Sequence, residues 1–181
     1  MRTSAIVGLG VAISLVFGCD TTLSPTDLDV RLSTDEEEYA AAQREGAGTA
    51  NRYGFSVIVR AENRSPGAIY LARCTPESGT PIYGIQALED GETVAESAYD
   101  PGWACVGHSN QFRLPPGTVR VDTLHFTGPT AVDGRTGQLL GSLEGRMRIV
   151  YGVQMCSGDG SCLAPNDAAV SNSFMVRTES P

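Results

Sequence analysis

The chain has 181 residues, of which 41% are hydrophobic and 19% are charged, with a formal net charge of -8 and no lysine. This length can form one hydrophobic core, and the composition excludes a disordered or collagen-like polymer. An acidic chain without a basic stripe repels phosphate backbones, so we expect no nucleic-acid partner.

The N-terminus has the features of an export signal. Arg2 precedes an uncharged run, residues 5–17, whose length suits a signal-peptide core and is short for a bilayer span. The run ends with Val16 three places before Cys19 and Gly18 directly before it. This ending resembles the lipobox of bacterial lipoproteins, in which the cysteine is acylated and cleavage falls just before it. An ordinary secretory signal with an incidental cysteine is the alternative.

The resemblance to a lipobox implies a division of the chain into three parts. We expect residues 1–18 to be a signal peptide, residues 19–27 to be an acylated tether, and residues 28–178 to be one folded domain. Several acyl chains on Cys19 would hold the protein firmly, because a single chain holds only marginally. The lipid bilayer is therefore the first partner that we expect.

The mature chain begins with a strand pattern, since apolar Leu28, Val30 and Leu32 alternate with polar residues. An acidic run follows, residues 35–38, with Arg44 further on. Thr34 and Glu37 have capping-box spacing, so this stretch favours a short helix or a solvated loop.

Alternation returns at Phe55 and continues to Glu62, which predicts a strand. A polar turn, residues 63–67, leads to a second apolar run through Ile69 and Leu71, and we interpret the two as a hairpin. A further strand, residues 82–88, meets an Asp-Gly pair at Asp90, which is a strong hairpin signal.

The segment 97–110 is irregular and contains three candidate binding residues, Tyr99, Trp103 and His108. Aromatic side chains on a loop that a disulfide holds are a common kind of binding surface. The alternative is that Trp103 packs over a disulfide between Cys74 and Cys105 as part of the core.

The remaining segments complete an all-β pattern. Alternation at residues 119–126, 147–153 and 171–177 predicts three more strands, with a Pro-Pro-Gly turn before the first of them. Seven or eight short strands with hardly any helix predict an Ig-like antiparallel β-sandwich.

Four cysteines follow Cys19, and the signal peptide directs them to an oxidising compartment, so we expect disulfides. Three pairings are possible. We favour Cys74 with Cys105 and Cys156 with Cys162, because residues 157–161 between the second pair form a turn.

Five stretches of the chain resemble the Ig-like domain named after the intracellular proteinase inhibitor of Bacillus, over about residues 28–178. They contain an alternating strand, turn signals and the start of a late strand, and they are Tyr39, residues 57–65, 89–94, 114–117 and 145–150. The resemblance implies a β-sandwich. The export signal, the added cysteines and a longer stretch between the first two strands depart from that family, so no reactive-loop residue is carried over.

The sequence contains no cluster typical of an active site. It has no Gly-x-Ser-x-Gly elbow and no phosphate-binding glycine loop. His108 and His125 lack partners at zinc-ligand spacing, and the turn at Asp159 offers one carboxylate where calcium needs six or more oxygens. We therefore expect no enzymatic activity, no cofactor and no metal.

These features predict a lipoprotein anchored in the cell envelope, outside the cytoplasm, that acts as a non-enzymatic binding or interaction module. An envelope protein is a candidate partner beside the bilayer. The alternative function, suggested by the family resemblance alone, is a periplasmic protease inhibitor.

Overall fold

A computed structural model describes residues 23–44, 52–100, 110–130, 136, 140–157, 162–165 and 168–179 of the chain. One turn of 3-10 helix, Pro25–Asp27, precedes the first strand. The described residues form eleven strands: β1 Val30–Thr34, β2 Glu38–Arg44, β3 Arg52–Asn63, β4 Ile69–Arg73, β5 Tyr83–Glu89, β6 Thr93–Ala95, β7 Asn110–Leu114, β8 Val119–Gly128, β9 Gly145–Tyr151, β10 Val153–Gln154 and β11 Phe174–Thr178.

The strands belong to two sheets. The larger has eight strands in the order β1-β3-β2-β11-β9-β5-β6, with β8 also paired to β3, and the smaller has the order β10-β4-β7. β2 connects the two halves of the larger sheet, because its C-terminal end pairs with β3 and its N-terminal end pairs in parallel with β11. The predicted all-β sandwich is confirmed, and among the strands that the structure describes β2–β11 is the one parallel pair.

The two layers enclose one aromatic and aliphatic core. Strand alternation turns Val57, Leu124 and Ile149 inward, and each is 0% exposed. Phe126 of β8 stacks on Phe55 and meets the edge of the Tyr83 ring of β5, with ring centroids 5.3 and 5.4 Å apart. Phe55 and Phe126 lie on the β3–β8 part of the larger sheet and Tyr83 lies on its β5–β9 part, so these two parts pack face to face as the layers of the sandwich.

The helix predicted after Thr34 is wrong, because residues 38–44 form β2, and the predicted solvated loop is limited to residues 35–37. Tyr39 and Ala41 point into the core, and pairing with β3 and β11 outweighs the local preference for a helix. The Tyr39 hydroxyl donates to Asp35 Oδ1 at 2.6 Å, while the Thr34 hydroxyl donates to the Glu36 carbonyl instead of capping a helix.

The predicted hairpin of β3 and β4 is also wrong. β3 pairs with β1, β2 and β8, whereas β4 lies in the smaller sheet between β10 and β7. β4 is buried from Ile69 to Ala72, the pattern of a strand that is covered on both faces. The turn at residues 64–68 therefore crosses from one sheet to the other. The hairpin of β5 and β6 around Asp90 is confirmed.

A buried ion pair connects the layers near β8. Asp122 is 4% exposed and accepts hydrogen bonds from Arg120 Nε at 2.8 and 3.0 Å and from the Tyr151 hydroxyl at 3.1 Å. The Arg120 guanidinium lies 3.9 Å from the centre of the Phe112 ring. Hydrogen bonds and ring contact together compensate for the loss of water around these charges.

Candidate functional site

A groove runs over the outer face of β5 and β9. Alternation turns Tyr83 and Tyr151 inward, so Gly84 and its cross-strand partner Val150 form the floor, which Gly152 extends. A Cβ placed on Gly84 would meet no heavy atom within 4 Å. The glycine therefore leaves open space above the sheet.

The segment that follows the last disulfide forms one wall of the groove. Cys156 and Cys162 are disulfide-bonded, with Cα atoms 5.7 Å apart, as predicted. Ala164 N donates to the Val153 carbonyl at 2.9 Å, and Leu163, with 59% of its surface exposed, lines the groove beside Ala164 and Pro165. The disulfide and the backbone hydrogen bond hold this wall against the sheet, and the cavity has a volume of about 480 Å³.

One end of the groove is polar. Gln86 lines it, and Arg148, the cross-strand partner of Gln86, donates from Nε to Gln86 Oε1 at 2.9 Å. This is the one polar side-chain contact of Arg148 among the described residues, and the side chain is half-buried. A half-buried guanidinium with terminal N–H groups available is a good partner for a carboxylate.

The neighbouring arginine on the same face has different surroundings. Arg146 is exposed, donates from Nη1 to Ser173 Oγ at 3.1 Å and lines a second cavity of about 310 Å³ together with Glu37. Arg146 therefore lines a cavity other than the groove, which leaves Arg148 as the cation nearer the groove.

The groove offers apolar contact, and a cationic donor, Arg148, lies next to its lining residue Gln86 rather than in the lining itself. Its described lining contains no Asp, Glu, His or Cys. The described residues as a whole contain no group of three or more His, Cys, Asp and Glu side chains that could hold a metal ion. Among these residues there is also no helix of the length and hydrophobicity that a membrane span requires.

The predicted site residues have different outcomes. Cys19, Trp103, Cys105 and His108 lie outside the described residues, so their roles stay predictions. Cys74 is disulfide-bonded, and its predicted partner, Cys105, lies outside the described residues.

Tyr99 lies in the core. Its side chain is 4% exposed, and its ring makes an edge-to-face contact with the Phe55 ring, with centroids 4.9 Å apart. Burial, and to a lesser degree the charge of Glu144, raises the pKa of its hydroxyl. These contacts are those of a packing residue.

Sequence reasoning missed the groove, although part of the signal was present. Gly84 stands between Tyr83 and Ile85 in a strand pattern, and a glycine there indicates a place where the sheet surface is open. The pairing of Gly84 with Val150 joins residues 66 positions apart, and no local pattern predicts it.

No protein-family model matches the sequence, and no curated protein matches it. The chain has weak structural similarity to a β-glucosidase from Listeria innocua in complex with glucose, with 10% identity, a TM-score of 0.30, and coverage of 82% of this chain and 16% of that chain. It is similarly close to PapD-like domain 7 of human CEP192, with 9% identity, a TM-score of 0.28, and coverage of 99% and 98%. Similarities this weak support no argument about function.

Proposed function

We propose that the chain is a lipid-anchored binding module of the cell envelope and that the groove on β5 and β9 is its binding site. The observation that carries the binding role is the groove itself: an open glycine floor, a wall that the Cys156–Cys162 disulfide holds in place, and a half-buried arginine at one end. A cavity of about 480 Å³ falls within the range of small-molecule sites.

The anchor rests on the sequence around Cys19, which resembles a lipobox. The disulfide state of Cys74, Cys156 and Cys162 supports export, because disulfides persist in oxidising compartments. Protease inhibition rests on the family resemblance alone, and the described residues add no observation in its favour.

The chemistry of the groove favours a ligand with an apolar body and one carboxylate. The floor and wall provide Gly84, Val150 and Leu163 for apolar contact, and Arg148 provides a charge-assisted hydrogen bond at the end. Octanoate is a suitable probe, and octan-1-ol is its uncharged counterpart.

Calorimetric titration tests the site. We expect octanoate to bind more tightly than octan-1-ol, and we expect Arg148→Gln to remove that preference with about a tenfold loss of octanoate affinity. Gly84→Val should block both probes, because its side chain fills the space above the floor. Gly79→Val is the matched control, since a Cβ there also meets no heavy atom within 4 Å and the residue lies outside the groove. Equal octanoate binding by wild type and both groove variants would refute the site.

Metabolic labelling tests the anchor. Cells that express the wild type or Cys19→Ser are fed a clickable fatty acid, and we expect label on the wild type alone. Wild-type protein without label would refute the anchor while leaving the groove untouched.

A further inference from the structure

The folded end of the sandwich begins close to the predicted anchor. Leu23 is 8% exposed and belongs to the hydrophobic core. A Cβ placed on Gly67 would lie 2.9 Å from Leu23 Cδ2, so the leucine packs against the turn between β3 and β4. The predicted tether of residues 19–27 is thus already in contact with the domain at Leu23.

Hydrogen bonds make this end of the domain rigid. The side chain of Asn63, 0% exposed, donates to the carbonyls of Gly67 and Leu114 at 2.9 Å each and accepts from Ser65 N at 3.0 Å. Asp29 O accepts from Arg64 N at 2.8 Å. The start of β1 and the turns at residues 64–68 and 115–118 therefore form one structural unit, which we term the Leu23 end.

The covalent chain limits how far the Leu23 end can be from an acylated cysteine. Four residue steps separate Cys19 from Leu23. At about 3.3–3.6 Å per residue, their Cα atoms lie at most about 14 Å apart. An acyl-bearing cysteine is seated at the lipid headgroups, so an end held within this distance has little freedom to turn away.

We propose that the Leu23 end is a membrane-facing surface that rests on lipid headgroups and so sets the orientation of the whole sandwich. This inference rests on the anchor in the proposed function. The turns at this end expose Pro66, Pro116 and Gly117, which carry no charge, and exposed Arg64 pairs with Glu62 at 3.1 Å. The carboxylates of Asp27 and Asp29 are exposed just before β1. Uncharged turns beside a few carboxylates suit contact with zwitterionic headgroups, whose outermost group is a cation.

The opposite end provides the contrast for a test. β3 runs the length of the layer that it forms with β8 and has 12 residues, so at about 3.3 Å per residue the two ends lie about 40 Å apart. The hairpin turn between β5 and β6 lies at the far end, with Glu92 exposed. A label there should be remote from lipid.

The experiment uses the full acylated protein in phosphatidylcholine vesicles that contain nitroxide-labelled headgroups. Fluorophores are attached through Pro116→Cys, through Pro66→Cys as a second probe of the Leu23 end, and through Glu92→Cys. We expect quenching at the two Leu23-end positions to be several-fold stronger than at Glu92. Insertion of twenty Gly and Ser residues between Thr22 and Leu23 should remove most of this difference.

Two results would overturn the orientation. Acylated protein that floats with the vesicles but shows equal quenching at all three positions would refute it and leave the anchor intact. Wild-type protein that neither carries lipid nor floats would refute the anchor and the orientation together.

Discussion

Replacing Asn63 with alanine removes the side chain that holds the Leu23 end together. The amide makes three hydrogen bonds to backbone groups, and two of the three are fully buried. Each bond contributes about 1 kcal/mol net, and buried groups left without a partner cost about 1–3 kcal/mol each, so we expect Asn63→Ala to lose about 3–5 kcal/mol of unfolding free energy. Urea denaturation followed by far-UV circular dichroism, with disulfides intact, measures the loss.

Asn172→Ala is the matched control. The Asn172 side chain also bonds to two groups, accepting from Thr34 N at 2.9 Å and donating to Thr34 Oγ1 at 2.8 Å, but it does so at the exposed surface. Water can replace those partners, so we expect a loss of at most about 1 kcal/mol. If Asn63→Ala were no more destabilising than Asn172→Ala, the assigned role of the Asn63 network would be wrong.

Three further predictions concern other parts of the fold. Burial, followed by the charge of Asp122, raises the pKa of the Tyr151 hydroxyl. The neutral side chain therefore contributes fully to the free energy of unfolding below about pH 10, and this contribution is lost as the pH rises further. Tyr151→Phe should flatten the alkaline fall in the free energy of unfolding by up to about 1.4 kcal/mol per pH unit, measured by urea unfolding. Gly141→Ala should lower the free energy of unfolding by about 3 kcal/mol or more, and Gly91→Ala by only about 1 kcal/mol. Both glycines have positive φ, but a Cβ on Gly141 would lie 2.6 Å from a backbone carbon, whereas a Cβ on Gly91 would meet no heavy atom within 4 Å. Equal losses in urea unfolding would contradict this reasoning. Replacing Cys156 and Cys162 together with serine should lower the melting temperature, for a loss of about 2 kcal/mol from a loop with a sequence separation of 6, and should weaken octanoate binding as the groove wall loosens.

Local patterns predicted the strands well where one face of a strand is buried. β3 and β9 alternate apolar and polar residues along most of their length, and the Asp-Gly pair placed the turn of the β5–β6 hairpin. The Cys156–Cys162 disulfide was predicted for a similar reason, since the sequence between the cysteines is rich in the Gly, Ser and Asp residues that favour a turn. In each case the deciding interactions lie within a few residues of one another.

Long-range pairing accounts for what the sequence did not reveal. β2 contains good helix formers, and only its partners β3 and β11 determine that it is a strand. β4 follows β3 closely, yet its pairing with β7 joins residues about 40 positions apart. The groove has the same origin, because Gly84 forms an open floor only once Val150 lies beside it.

The sequence of β8 did not show which of its two faces is buried. Its two faces carry similar numbers of apolar residues, and Asp122 points inward beside Leu124 and Phe126. The hydrogen bonds of Asp122 with Arg120 and Tyr151 permit this, and both partners become visible only in three dimensions.

The inward carboxylate of β8 also fixes the register of that strand. Among the described strands β8 pairs with β3 alone, and Val119 and Val121 are exposed along it. A slip of one residue against β3 would turn Asp122 outward and Val121 inward. Asp122 would then lose its bonds to Arg120 and Tyr151, so one buried carboxylate distinguishes two faces that carry equal numbers of apolar residues.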